Sequence, residues 1–416
     1  MTVDHSPSTP ARTWTLEHPR WKDLSPIPLT ATIPSMPRFQ KDSQRKHLQK
    51  GTSMPKPKGV HLLVGTQKGA FIFSAKGTRK RWTMEGPLLK GAEVNDLMMD
   101  TRGRPTLYAC VNSYWWGSNV HASHDRGKNW IQSEGGIRFA ESSGRTVARV
   151  WCVVPGGKGE PGVMYAGVDP GALFRSEDSG KTWSEMKSLS DHPTRKQWTP
   201  GAGGLMVHSI VPHPSDPKKL TVGISAAGVF ATEDGGHSWE ARNKGVLADF
   251  KPEKLPEVGQ CVHHLEGHRS LPDVLYQQNH CGVYRSDNGG REWTDISEGL
   301  PSRFGFPIQV HPHDPSTIFV IPEKGAEFRA SATDRFAVYR SANRGASWKP
   351  LTKGLPPKPS FLHVHRQAMA HDELEPFGLY VGASSGQIYW SRDNGNTWDL
   401  LAQYLPQIYS LHCAVA

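Results

Sequence analysis

Six histidines in this 416-residue chain could carry metal chemistry if the fold brings them together. They come from three separate regions of the sequence: His208, His263, His264, His280, His363 and His365. Three imidazoles that converge from separate strands form an open site for Zn²⁺ or Fe²⁺, with room for water or substrate. We therefore expect a divalent metal centre, zinc or iron, with Glu266 or Glu323 as the proton carrier.

Other histidines have a simpler interpretation, and the chain contains 20 of them. His213, His268, His311 and His313 follow strand-like runs, and we interpret them as turn residues. Two alternatives remain open for the six candidates, namely a polar ligand pocket without metal and structural hydrogen bonding. No His-x-x-x-His or Cys/His spacing supports a metal, so the hypothesis depends on the fold.

A repeated eight-residue pattern, Ser/Thr-x-Asp/Asn-x-Gly-x-x-Trp, predicts that fold. Its tryptophans are spaced between 48 residues (Trp82 to Trp130) and 56 residues (Trp183 to Trp239) apart, which is typical of a repeat architecture. Six copies are complete, and a degraded copy runs from Ser74 to Trp82. The complete copies are Ser123–Trp130, Ser176–Trp183, Thr232–Trp239, Ser286–Trp293, Ser341–Trp348 and Ser391–Trp398.

Each part of the pattern has a physical role in a tight turn. The Asp or Asn can accept hydrogen bonds from backbone N–H groups of the same turn, and the glycine supplies a positive φ. The tryptophan then starts a strand and buries its ring against the neighbouring unit. The pattern resembles the Asp-box (BNR) repeats of sialidase-like β-propellers, within the wider WD40/YVTN/BNR-like group. This resemblance covers residues 59–416 and implies an all-β, seven-bladed propeller, while leaving function open.

Short apolar and β-branched runs supply the strands of each repeat. The first strand of six blades is predicted at 94–99, 150–154, 207–211, 262–265, 308–310 and 362–367. No first strand precedes Gly59, but the segment Ile408–Ala414 has the same pattern. We expect this C-terminal strand to complete the first blade and close the ring.

In a propeller, the first strands line a central channel, so residues near their beginnings meet at one mouth. Aligning these strands places candidate substrate-binding residues there, and a nearby loop adds two tryptophans. The set is Asn95, Arg149, Trp151, Phe306, Tyr409, Trp115 and Trp116. Side-chain alternation should send His263 and His264 to opposite faces, so that only one points into the channel.

Sialidase activity is not expected despite the resemblance. The resemblance to sialidases would imply an active site with three arginines, an Arg-Ile-Pro element, a Tyr–Glu pair and a free Asp. This chain has no Arg-Ile-Pro, and only Arg149 and Arg366 fall on predicted channel strands. Residues of other types occupy the remaining positions, so the chain is not expected to be an exo-sialidase.

Composition restricts location and partners. Net charge is +10, but residues 1–58 contain ten Lys/Arg and four Asp/Glu, which gives +6 in a Pro- and Lys-rich stretch. We predict that this stretch is an irregular arm, which could mediate self-association, and that nucleic acid is not the partner. Five isolated cysteines, no signal-like N-terminus and no long apolar run predict a cytoplasmic protein without a membrane span.

These observations favour a cytoplasmic propeller enzyme with a histidine-lined, metal-binding pocket at the channel mouth. Its substrate would be a small polar or aromatic molecule, and hydrolysis or elimination is the expected chemistry. One alternative is a non-catalytic scaffold that binds a protein partner. Another is a glycoside hydrolase other than a sialidase, for which Asp169 and Glu323 are the candidate acid pair.

Overall fold

The computed structural model describes residues 59–113, 115 and 117–415. These residues form seven four-stranded antiparallel sheets, arranged as the blades of a β-propeller. This confirms the predicted fold class. The N-terminal arm predicted at 1–58 lies outside the described residues.

Every blade has four strands in the order inner to outer. Blade 1 contains β1 (Gly59–Thr66), β2 (Gly69–Lys76), β3 (Trp82–Leu88) and, innermost, the C-terminal β28 (Ile408–Val415). Blade 2 contains β4 (Glu93–Asp100), β5 (Thr106–Ser113), β6 (Gly117–Ser123) and β7 (Ile131–Gln132); blade 3 contains β8 (Arg149–Pro155), β9 (Met164–Asp169), β10 (Ala172–Ser176) and β11 (Ser184–Glu185). Blade 4 contains β12 (Met206–Pro212), β13 (Leu220–Ser225), β14 (Gly228–Thr232) and β15 (Glu240–Ala241).

The remaining three blades repeat the same order. Blade 5 contains β16 (Val262–His268), β17 (Leu271–Asn279), β18 (Gly282–Ser286) and β19 (Thr294–Asp295). Blade 6 contains β20 (Gly305–His311), β21 (Asp314–Pro322), β22 (Val338–Ser341) and β23 (Lys349–Leu351); blade 7 contains β24 (Met369–His371), β25 (Leu379–Gly382), β26 (Ile388–Ser391) and β27 (Asp399–Ala402). Helix is confined to α1 (Lys187–Ser190) and two short 3-10 turns (Glu141–Ser143 and Arg195–Gln197) within the described ranges, and no helix there is long and apolar enough to cross a membrane.

The repeated turns have the geometry that their sequence predicts. In all six, the Asp or Asn side chain accepts a hydrogen bond of 2.8–3.0 Å from the backbone N–H four residues later. The glycines adopt φ between 78° and 90°. These bonds hold the pKa of Asp125 down at about 2, since the Asn129 N–H and side chain favour the carboxylate.

The tryptophans connect neighbouring blades. The indole N–H of Trp293 donates to the Arg242 carbonyl (2.9 Å), and that of Trp348 donates to the Ile296 carbonyl (2.8 Å), both in the preceding blade. Outer strands were expected to begin at these tryptophans. In six blades they begin one residue later, because the tryptophan itself completes the turn.

One inner strand differs from its predicted position. Blade 7 uses Met369–His371 instead of the expected 362–367. Gln367 pairs in parallel with Ser410 of β28, and its carbonyl accepts the Leu411 N–H at 2.8 Å. The segment before β24 therefore bonds to the adjacent blade through Gln367, while the His363 and Ala368 carbonyls accept the Ser384 and Gly382 N–H groups of its own blade.

The ring closes as predicted, because β28 pairs with β1 from Val60↔Val415 to Thr66↔Ile408. A buried ion pair reinforces this junction: Arg79, which follows β2, binds Asp372, which follows β24. A second contact, between His412 Nε2 and Asp96 Oδ1 at 2.7 Å, connects the closing strand to blade 2. The first and last blades are thus joined by both backbone and side-chain bonds.

Candidate functional site

Six of the seven inner strands contain a β-bulge near the channel mouth. At each bulge one side chain stands outside the ladder, because two residues on the inner strand oppose one on its neighbour. In order around the ring these bulged residues are Asn95, Trp151, His208, His263, Phe306 and Tyr409. The strand alignment had selected the same six positions, but the bulges themselves were not foreseen.

Three bulged side chains bind the backbone of the next blade. Asn95 Nδ2 donates to the Trp151 carbonyl (3.0 Å), and the His208 and His263 rings donate to the Val262 and Gly305 carbonyls (2.9 and 2.6 Å). This explains why polar donors occupy these positions. Asn95 is accordingly buried within the ring and contributes to its structure.

His208 uses both ring nitrogens in structural bonds. Its Nε2 binds the Val262 carbonyl, and its Nδ1 lies 2.9 Å from the Ser209 hydroxyl. The side chain is 1% exposed, and burial together with the nearby Arg366 charge holds its pKa well below the usual value. Both ring nitrogens are thus occupied, one as a donor and one as an acceptor, and the structure does not group His208 with the other candidate ligands.

His263 and His280 meet a third possible ligand, Cys261. One donor atom of each residue lies within 4.8 Å of the other two. Cys261 immediately precedes β16, His263 is the bulged residue of that strand, and His280 occupies the tight turn between β17 and β18. The His280 backbone N–H donates to the Cys261 carbonyl at 3.0 Å, which fixes the turn beside the strand.

The hydrogen bonds leave this cluster with donor atoms available. Since His263 Nδ1 donates to Gly305, its Nε2 carries the lone pair, and a second bond of this type orients a ligating imidazole. The His280 ring makes no hydrogen bond to another of the described residues and contacts Phe250 and Phe304 by their edges. Burial lowers the pKa of both histidines, and neutral imidazole is the form that binds a metal.

Two imidazoles and a thiol match the ligand preferences of zinc. Standard bond lengths in a tetrahedral zinc site place donor atoms about 3.3–3.6 Å apart. The observed limit of 4.8 Å therefore requires the donor atoms of a pair to approach by at most about 1.5 Å. With three protein ligands, the fourth position would be open to water or substrate.

A pocket of about 180 Å³ adjoins the cluster. Phe306 stacks on His263 with ring centroids 4.5 Å apart, and Phe304 packs edge-on against both rings. Two arginines, Arg329 and Arg366, complete this side of the pocket. The site thus combines potential metal ligands, an aromatic wall and positive charge.

The other two mouth histidines, His363 and His365, do not line this pocket. His363 Nδ1 binds both carboxylate oxygens of the buried Glu323 at 2.9 and 3.0 Å, and its ring centroid is 5.2 Å from that of Phe306. His365 packs against His363 and Tyr409 and binds Gln407 through Nε2. Burial, together with the His363, Arg366 and Arg329 charges, lowers the pKa of His365 to about 3. This pair therefore adjoins the pocket without joining the cluster.

His264 and Glu266 line a different cavity, of about 330 Å³, lower in the channel. His264 Nε2 binds Glu266 Oε1 at 2.9 Å, and Gln309 donates to the same oxygen. Alternation predicted that only one of His263 and His264 would face the channel. Both do, at different depths, because the bulge interrupts alternation. Glu266 lies five strand residues beyond Cys261, ~15 Å along the channel.

The remaining predicted residues that the structure describes are Trp151, Arg149 and Trp115. The guanidinium carbons of Arg149 and Arg366 lie 5.6 and 5.8 Å from the ring centre of Trp151, and Arg149 pairs with Glu93 at 3.1 Å. Trp115 is 81% exposed. Trp116 lies outside the described residues.

Sequence reasoning did not identify Cys261 as a ligand. The available signal was the spacing Cys261-Val-His263, which places two side chains on one face of an extended chain. Arg366 was noted only as a residue on a channel strand. Its position over Phe306 depends on the unpredicted course of the segment before β24.

Comparison with known proteins gives distant similarities, and no family model matches. The chain is 22% identical over 288 residues to a probable oligoxyloglucan-reducing end-specific xyloglucanase of Neosartorya fischeri (61% of this chain, 33% of the relative). It is 23% identical over 282 residues to xyloglucanase Xgh74A of Acetivibrio thermocellus (58% and 30%). The chain thus spans about a third of the length of these curated relatives. The crystal structure of an ancestral GH74 enzyme superposes with a TM-score of 0.52 at 17% identity (74% of this chain, 38% of that one), which shows similarity of fold alone.

Proposed function

We propose that this protein is a metal-dependent propeller enzyme whose centre is formed by Cys261, His263 and His280. The observation that carries the proposal is the convergence of these three donor atoms, within 4.8 Å of one another, at the edge of a pocket. The pocket volume of about 180 Å³ suits a small molecule. In an engineered protein, an apolar cavity of about 150 Å³ accommodates benzene.

The protein groups around the cluster divide the chemical tasks. A bound zinc or iron ion would polarise a substrate oxygen or lower the pKa of a bound water. Gly305 holds the His263 ring in one tautomer, and Phe304 and Phe306 exclude water from one side. The His363 ring contacts Phe306, and the His363–Glu323 pair is the candidate for moving a proton at the mouth, since its two groups share a hydrogen bond.

Metal analysis of protein purified without a histidine tag tests the centre directly. We expect about one equivalent of metal in the wild type, and its loss in C261A and H280A. His237 is an exposed histidine in a repeat turn of blade 4, so H237A is the matched control and should retain the metal. Wild-type protein that stays metal-free after zinc addition, or C261A and H280A that bind as the wild type does, would overturn the proposal.

A glycoside hydrolase is the second candidate, and one specific observation favours it. The sequence relatives described above are named as xyloglucanases, which supports hydrolysis of a carbohydrate as the reaction class. Asp169 and Glu323 are the candidate acids, and burial raises the pKa of Asp169, as a general acid requires.

Hydrolysis of xyloglucan oligosaccharides, measured as released reducing ends, separates the two candidates. The carbohydrate hypothesis predicts activity that survives chelation and H280A but is lost in D169N and E323Q. The metal hypothesis predicts that any such activity is lost on chelation and in H280A. No release of reducing ends by the wild type would reject the carbohydrate candidate.

A further inference from the structure

Arg366 is a buried cation that pairs with no carboxylate in the described part of the chain. Arg366 is only 8% exposed. Its side chain makes no hydrogen bond or ion pair to any of the residues that the structure describes. Its Nε is buried without a hydrogen-bond partner. Burial lowers the pKa of Arg366 to about 10, so the group stays charged near neutral pH. A buried charge of this kind is costly unless an anion compensates it.

The contacts that Arg366 makes with the described residues leave its N–H donors without a hydrogen-bond acceptor among them. Its guanidinium carbon lies 5.0 Å from the ring centre of Phe306 and 5.8 Å from that of Trp151. Such contacts stabilise the cation through the faces of the rings. The five N–H groups of the guanidinium are suited to a planar carboxylate or a phosphate and remain available for one.

A second arginine faces the same ring. Arg329 is exposed, its guanidinium carbon lies 5.1 Å from the Phe306 ring centre, and it makes no ion pair within the described part of the chain. The positive charges of Arg329 and Arg366 repel each other, which lowers the pKa of Arg366. Two arginines that repel each other at one pocket are stabilised together when an anion binds between them.

We propose that the mouth pocket recognises a small organic acid, and that Arg366 and Arg329 bind its carboxylate. The inference rests on the proposed function in using the same pocket, and it adds the class of ligand. With the carboxylate at the arginines, the remainder of the molecule would face Phe250 and Phe304, beside Cys261 and the two histidines. The apolar wall and the volume of about 180 Å³ favour an aromatic or short aliphatic acid over a phosphate ester.

Benzoate and benzamide form a matched pair of probes, because they have nearly the same shape and differ in charge. In calorimetric titrations of metal-free protein, we expect benzoate to bind and benzamide to give no heat of binding. R329A should weaken benzoate binding at least tenfold, and R366Q should do the same. The exposed Arg392 in the last repeat turn does not line the pocket, so R392A is the control.

R329A keeps the test decisive even if R366Q fails to fold, because Arg329 is exposed. Three results would overturn the inference: equal binding of the two probes, wild-type affinity in R329A, or binding of inorganic phosphate in preference to benzoate. Metal analysis of the same samples separates this failure from that of the metal centre. If the wild type binds benzoate but takes up no metal when zinc is added, the proposed centre alone is rejected. If the wild type takes up metal but its metal-free form does not bind benzoate, the anion site alone is rejected.

Discussion

Replacement of Asp372 by alanine should weaken the junction that closes the ring. Asp372 is 0% exposed and accepts two hydrogen bonds from Arg79 Nη1, at 2.9 and 2.7 Å. The Tyr380 hydroxyl donates to it at 2.8 Å, and the N–H groups of Leu374 and Gly378 donate at 3.0 Å each. Arg79 belongs to blade 1 and the other groups belong to blade 7, so this carboxylate binds both sides of the junction.

The expected cost follows from the burial of both charges. In D372A, Arg79 stays charged at 3% exposure with its partner removed, and breaking a buried pair in this way costs about 3–5 kcal/mol. A typical domain has a stability of about 5–15 kcal/mol, so this is a large fraction of the total. Removing both charges in R79M/D372A should cost less than the sum of the single variants, because no buried charge is left alone.

Urea denaturation followed by tryptophan fluorescence measures this difference. The adjacent Glu373 provides the control, since it pairs with Arg269 at the surface, where both side chains are exposed. E373A should cost less than about 1 kcal/mol. The reasoning is refuted if D372A is no more destabilising than E373A, or if the double variant is additive.

Three further predictions concern the same ring. Gly167→Ala should lower the free energy of unfolding by about 1–3 kcal/mol in the same denaturation assay, because the new Cβ would overlap the Val207 carbonyl oxygen of the next blade. Gly103→Ala is the control and should change stability little, because the space around Gly103 is open. Burial opposes protonation of His412, but the charge and hydrogen bond of Asp96 outweigh it and raise its pKa. The stabilisation should therefore be complete below pH ~6.5 and lost as pH rises through the higher folded pKa, so melting temperature should fall in that window for the wild type and stay flat in H412Q. Deletion of β28 should abolish cooperative thermal unfolding, because it exposes the edge of β1, and an unchanged transition would contradict the closure of the ring.

The candidate site was only partly predictable. Strand alignment placed His263 and Phe306 at the mouth, and both line the pocket. The same alignment could not tell that the His208 ring is fully occupied by Ser209 and Val262. Whether a ring nitrogen is available depends on a neighbouring blade, and that neighbour is 54 residues away in sequence for Val262.

The sequence by itself determined the architecture, because each repeat turn is a local structure. An Asp or Asn that binds the N–H four residues later, with a glycine between them, needs no distant partner. Tertiary structure alone decided what meets at the mouth. Cys261 meets His280 because a strand and a turn lie side by side, and Arg366 reaches Phe306 from the segment before β24, whose Gln367 pairs with β28. Local hydrogen bonds fix the turns, whereas packing between blades fixes the site, and that packing cannot be read from a single repeat.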